Sequence, residues 1–143
     1  MHPSPLLAPI VALVAWSLVM YIWMYAARLG AMRRAGISAK GMRGTRGLDG
    51  IIPDEANWKA HNYGHLMEQP TIFYAIVIAL ILMDFDAAIN VYLAWAYVVL
   101  RVIHSLIQAT VNIVVYRFIV FTLSSLCLIG LTTHAAIFLI HHG

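Results

Sequence analysis

Four long stretches of apolar residues, nearly free of charge, constrain this chain more than any other feature. A helix needs about 20 mostly apolar residues to cross the hydrocarbon core of a bilayer. Leu6 to Ala27 meets that length without one charged side chain. The later stretches meet it too, and spans are predicted at 6–27, 57–83, 87–110 and 117–140. Across the chain of 143 residues, 62% are apolar and only 10% charged. A soluble domain of this size leaves much of its surface in water and could not hide so much apolar area. Intrinsic disorder needs the opposite composition. The expected fold is therefore all-α, an integral membrane antiparallel four-helix bundle, with residues 1–143 as one membrane domain.

The few charges set the expected topology. Seven of the nine basic residues lie between Arg28 and Lys59, six of them in a basic, glycine-rich loop expected over 28–56. Arg117 sits at the connection between the third and fourth spans. The turn after the second span holds Asp84 and Asp86 and no cation. Cations mark the cytoplasmic side, so both termini are expected to be non-cytoplasmic. The net charge of +3 then reports topology, and no nucleic-acid partner is expected. The loop cations are expected to touch anionic lipid headgroups. The Met1–Pro5 start carries no Lys or Arg, unlike a secretory signal, so the first apolar segment is expected to be retained. Cys127 is the single cysteine, which excludes an intrachain disulfide; it reads as a small buried hydrophobe. A bacterial inner membrane is the expected location.

The informative residues are the polar ones inside the second and third spans. His61, His65 and Glu68 share one helical face, and Tyr97, Arg101, His104 and Gln108 share another. In an antiparallel hairpin, residues at equal depth have numbers with a constant sum. Glu68 with Arg101, His65 with His104, and His61 with Gln108 all give the same sum. Ionisable groups at membrane depth face the bundle interior and pair, so a Glu68–Arg101 ion pair is expected. A polar pocket would open from it toward the cytoplasm. Arg101, His104 and Gln108 together offer more donors than one glutamate satisfies, which points to an anionic guest. Arg28 and Arg117 could add positive charge at the rim, although such residues also snorkel to the interface. His65 and His104 could alternatively be axial ligands of a haem, or His61, His65 and Glu68 could hold a metal. His134 has no second deep histidine to join, and reads as a satisfied or interfacial residue. Two nearby arginines would repel a cation, so no metal is expected.

These residues resemble the MAPEG family, the membrane-associated proteins in eicosanoid and glutathione metabolism. The four-span layout with one long cytoplasmic loop covers nearly the whole chain. Lys59-Ala60-His61-Asn62 through His65-Leu66-Met67-Glu68-Gln69-Pro70 is similar to the family's Asn, Glu and Pro segment. Arg101-x-x-His104, followed by Tyr116-Arg117-Phe118, is similar to its Arg-x-x-His and later Arg. The resemblance implies a homotrimer with glutathione, the co-substrate, between neighbouring subunits. Its thiol would point toward lipid, from which lipophilic electrophiles or hydroperoxides arrive. It implies that Glu68 holds the glutathione amino end with Arg101, that His104 sits one turn nearer the cytoplasm, and that Arg117, with Arg101, stabilises the thiolate. His65, Gln108 and Arg28 join the expected binding set through their own place on the polar stripes and at the rim. This chain departs from the family at three positions: His65 replaces an Asn, and Gln108 and Phe121 each replace a Tyr.

Two functions follow as expectations. One is a glutathione-dependent transferase or peroxidase acting on lipophilic compounds. The other is a non-enzymatic lipid-binding membrane protein of the same fold. Glu68, Arg101 and Arg117 favour the first; Gln108 and Phe121 favour the second.

Overall fold

The computed structural model describes residues 2–36 and 52–143. The central part of the basic loop, including Lys40, Arg43 and Arg46, lies outside the described residues. The described residues form four helices: α1 (Leu7–Ala35), α2 (Asp54–Leu82), α3 (Ala88–Thr110) and α4 (Val114–His142). Each is long and apolar enough to cross a membrane.

Most boundaries follow local chemistry. α1 does not stop at Ala27. It runs through Arg28, Arg33 and Arg34 to Gly36, where φ is +72° and the amide bonds back to Arg33 and Met32 carbonyls. Arginine is a good helix former, and cations suit the negative end of the helix dipole. A charge cluster therefore ends the membrane span without ending the helix; a left-handed glycine ends it. α2 begins after Pro53, with Asp54 and Glu55 in its first turn, where acids complement the dipole. The two short connections each turn on a left-handed residue, Asp84 at φ +53° and Asn112 at φ +51°. Asp and Asn tolerate that region better than other side-chain-bearing residues. α4 starts at Val114, three residues before the expected 117.

Neighbouring helices run antiparallel. Arg28 meets Asn57, and Tyr21 packs near Tyr63, between α1 and α2. Phe73 stacks on Tyr97 at 4.4 Å between α2 and α3. Phe85 in the α2–α3 connection stacks on Phe138 of α4 at 4.6 Å. The chain thus goes up, down, up and down, as the short connections predict. The interior holds Leu13, Met20, Leu66, Phe73, Leu80, Tyr97 and Leu131. Gly130 lets α4 approach α3 closely, since a Cβ there would lie 3.2 Å from a Leu93 methyl. Outward, large apolar side chains such as Ile22, Phe118 and Ile140 are exposed. That surface suits lipid as solvent.

His134 is satisfied, as expected. Its Nδ1 lies 2.7 Å from the Asn90 side-chain oxygen, and Asn90 donates to the Phe85 carbonyl. The imidazole therefore donates from Nδ1, which ties the end of α4 to the start of α3.

Candidate functional site

The polar residues gather in the half of the bundle nearer the α3–α4 connection. There His65 from α2, His104 from α3, and Val114, Arg117, Phe118 and Phe121 from α4 line an open pocket of about 250 Å³. The two imidazole rings are 6.2 Å apart, which bears out the predicted rung. His104 is 2% exposed and lies 6.1 Å from the Phe121 ring.

α4 brings Arg117 to the pocket one turn after the connection. Its Nη1 donates to Asn112 Oδ1 at 2.8 Å. The left-handed turn at Asn112 thus sets both the start of α4 and the aim of the guanidinium. Arg117 Nε is buried without a protein partner.

The expected Glu68–Arg101 ion pair is not formed. Glu68 lies on the exposed outer face of α2, with Ile72 one turn on, also exposed. Gln69, one residue later, takes the inward position. Arg101 Nη1 donates to Gln69 Oε1 at 3.5 Å, and Nη2 donates to the His65 carbonyl at 3.4 Å. The predicted depth is right and the predicted face is wrong. One residue rotates a helix position by about 100°, so Gln69 rather than Glu68 points at α3.

Gln69 joins three helices. Its Oε1 also accepts from the Tyr97 hydroxyl at 3.2 Å, and its Nε2 donates to Ser125 Oγ on α4 at 3.0 Å. Gln69 is not legible as a site residue in the sequence, because an amide beside a glutamate carries no charge signal. Arg101 itself is 1% exposed and sits behind the pocket wall, its guanidinium carbon 5.7 Å from the Phe121 ring. Phe121 lines the pocket in front of Arg101 and offers it a cation–π face.

Two further candidates lie elsewhere. Gln108 is buried in α3 with its Oε1 unpartnered, and is not part of the pocket wall. Arg28 donates to Asn57 Oδ1 at 3.4 Å between α1 and α2, also apart from the pocket. His61 is exposed on α2. Among the described residues, no group of three or more His, Cys, Asp or Glu is placed to hold a metal ion. Lys59 does more than mark topology. It donates to the Ala109 carbonyl at the end of α3 and lies 4.8 Å over the Trp23 ring. A cation at a helix C-terminus satisfies an otherwise free carbonyl.

Chemically, the pocket wall combines one guanidinium and two imidazoles with aromatic and aliphatic groups, and among the described residues no carboxylate lines it. Arg101 adds positive charge just behind. Such a set suits an anion with an apolar attachment. It also lowers the pKa of a thiol brought beside it, because the thiolate is the charged form.

A protein-family comparison bears on this geometry. The model of the MAPEG family matches residues 6–137. No curated protein and no solved structure matches the chain.

Proposed function

The chain belongs to the MAPEG family, and from that premise we propose that it uses glutathione against lipophilic electrophiles or hydroperoxides within the membrane. The observation that carries this reading is the convergence of Arg117, His65 and His104 on one pocket without a carboxylate, with Arg101 behind it. Glutathione brings two carboxylates and a thiol, and the donor set matches anionic groups of that kind. Arg117 is the pocket cation and stabilises the thiolate. The sulfur then attacks an electrophilic carbon that enters from the lipid, and the leaving group departs.

Glu68 fits the same reading from outside the pocket. It sits about 14 residues from the Leu82 end of α2, roughly 21 Å along the helix axis, so it is deep in a hydrocarbon core about 30 Å thick. A carboxylate exposed there on one subunit is costly. In a homotrimer it faces a neighbour, and a glutathione amino group held between subunits pairs with it. The basic ends of α1 and α2 then lie in the cytoplasm and both termini on the opposite side.

Phe121 supports a second reading, a non-enzymatic lipid binder. Its ring gives the pocket an apolar wall where the resemblance expects a phenol. The two readings separate on turnover. Purified protein is incubated with glutathione and an aryl halide or a lipid hydroperoxide, and thiol loss is followed. Thiol loss above the uncatalysed rate, abolished in Arg117→Ala, supports the enzyme. Lipid retention without any thiol loss supports the binder.

A further inference from the structure

Three arginines in the described helices are each held by a neutral amide oxygen. Arg28 is held by Asn57, Arg101 by Gln69 and Arg117 by Asn112. Two of the three, Arg101 and Arg117, belong to the pocket or its backing. A buried guanidinium is usually paired with a carboxylate, since an uncompensated charge in a low-dielectric interior is expensive. Here the obvious carboxylate was available: Glu68 is the immediate neighbour of Gln69, yet it points away. Arg101 instead uses Gln69 Oε1 and a backbone carbonyl. Both acceptors fix the fork in space and leave its full charge in place.

We propose that Gln69 and Asn112 are positioning residues that anchor Arg101 and Arg117 without neutralising them, and so reserve both charges for an anionic guest. The inference rests on the reading that this pocket takes the anionic groups of glutathione. The chemistry is simple. An amide oxygen and a carboxylate oxygen occupy the same place and accept the same hydrogen bond. Only the carboxylate also cancels the charge, and at this range in a low-dielectric site that cancellation is large. Gln69 has a second duty a glutamate could not perform, because its Nε2 donates to Ser125. Asn112 takes a left-handed turn that an aspartate takes as well, as Asp84 does, so Asn112→Asp changes the charge and keeps the backbone.

The test uses amide-to-acid substitutions of nearly equal shape: Gln69→Glu, Asn112→Asp and, as a control, Asn57→Asp at the Arg28 pair outside the pocket. Each full-length protein is titrated calorimetrically in detergent with glutathione and, separately, with octanoate, a plain lipophilic carboxylate. Thermal stability is recorded alongside. Gln69→Glu and Asn112→Asp are expected to weaken both probes about tenfold or more, with unfolding temperatures close to wild type, the new charge pair with Arg101 offsetting the Ser125 bond that Gln69→Glu loses. Asn57→Asp is expected to bind as wild type does. Unchanged binding in the two pocket variants would overturn the inference and leave the glutathione reading standing. Weakened binding that tracks a fall in stability in both variants would also overturn it, since the amides would then be structural only. If wild type binds octanoate but not glutathione, and the variants lose octanoate, the inference holds and the glutathione reading fails. If wild type binds neither probe, both fall.

Discussion

The rings of His65 and His104 face each other at 6.2 Å between centroids across the α2–α3 interface. That rung fixes the depth at which every other pocket residue sits. Lys59 against Ala109 and Phe73 against Tyr97 continue the same antiparallel register toward either end. The pocket is thus built on two rigid helices, and α4 closes one side of it with Arg117, Phe118 and Phe121.

Glu68 is predicted to act between subunits. Glu68→Gln removes the charge and keeps the shape on an exposed face, so the subunit fold is expected to stay intact by circular dichroism. Glutathione affinity is expected to fall about tenfold, the loss of one charge-assisted hydrogen bond. Calorimetric titration measures it, and chemical cross-linking of the wild-type protein is expected to end at a trimer.

Arg117 is predicted to govern thiol ionisation. Arg117→Ala is expected to leave the bundle folded and to reduce the thiolate absorbance of bound glutathione, with turnover falling about a hundredfold. Arg117→Lys keeps the charge and loses the fork that meets Asn112. It is expected to recover part of the thiolate signal and only part of the rate.

Gln69→Leu is predicted to be a stability lesion, in contrast to Gln69→Glu. It leaves the Tyr97 hydroxyl, Ser125 and one Arg101 donor without their partner. The expected cost is about 2 kcal/mol, since buried unpaired groups cost more than a formed bond contributes. Unfolding in mixed detergent micelles gives the figure.

His134→Phe breaks the link to Asn90 at the other end of the bundle. A loss of about 1 kcal/mol is expected, with glutathione binding unchanged, because no pocket residue touches that pair. Measuring stability and binding in the same variant checks both halves.

What could be read in the sequence was depth, and what could not be read was rotation. Span lengths and the constant-sum rule placed His65 opposite His104, because rise per residue is nearly the same in every helix. The side of α2 that faces α3 was harder. Helical spacing with His61 and His65, and the cost of a buried charge, make Glu68 the expected inward residue, whereas packing of Leu66, Phe73, Val77 and Leu80 into the core turns Gln69 inward. Helix ends behaved similarly. Arg28 marks the charged end of the first span, but the helix itself stops at Gly36, which takes φ +72°. Arg28 and Gln108 were grouped with the pocket by depth, and the structure places each beside a different neighbour. The family resemblance was legible, and residues 6–137 match the family model.

The central claim is that the pocket of Arg117, His65 and His104 receives glutathione. Titrating the detergent-solubilised wild-type protein with glutathione up to millimolar concentration tests it most directly. Saturable binding that is weakened, not abolished, in Arg117→Ala is the predicted result. No binding at millimolar glutathione, by a protein shown to be folded, would contradict it.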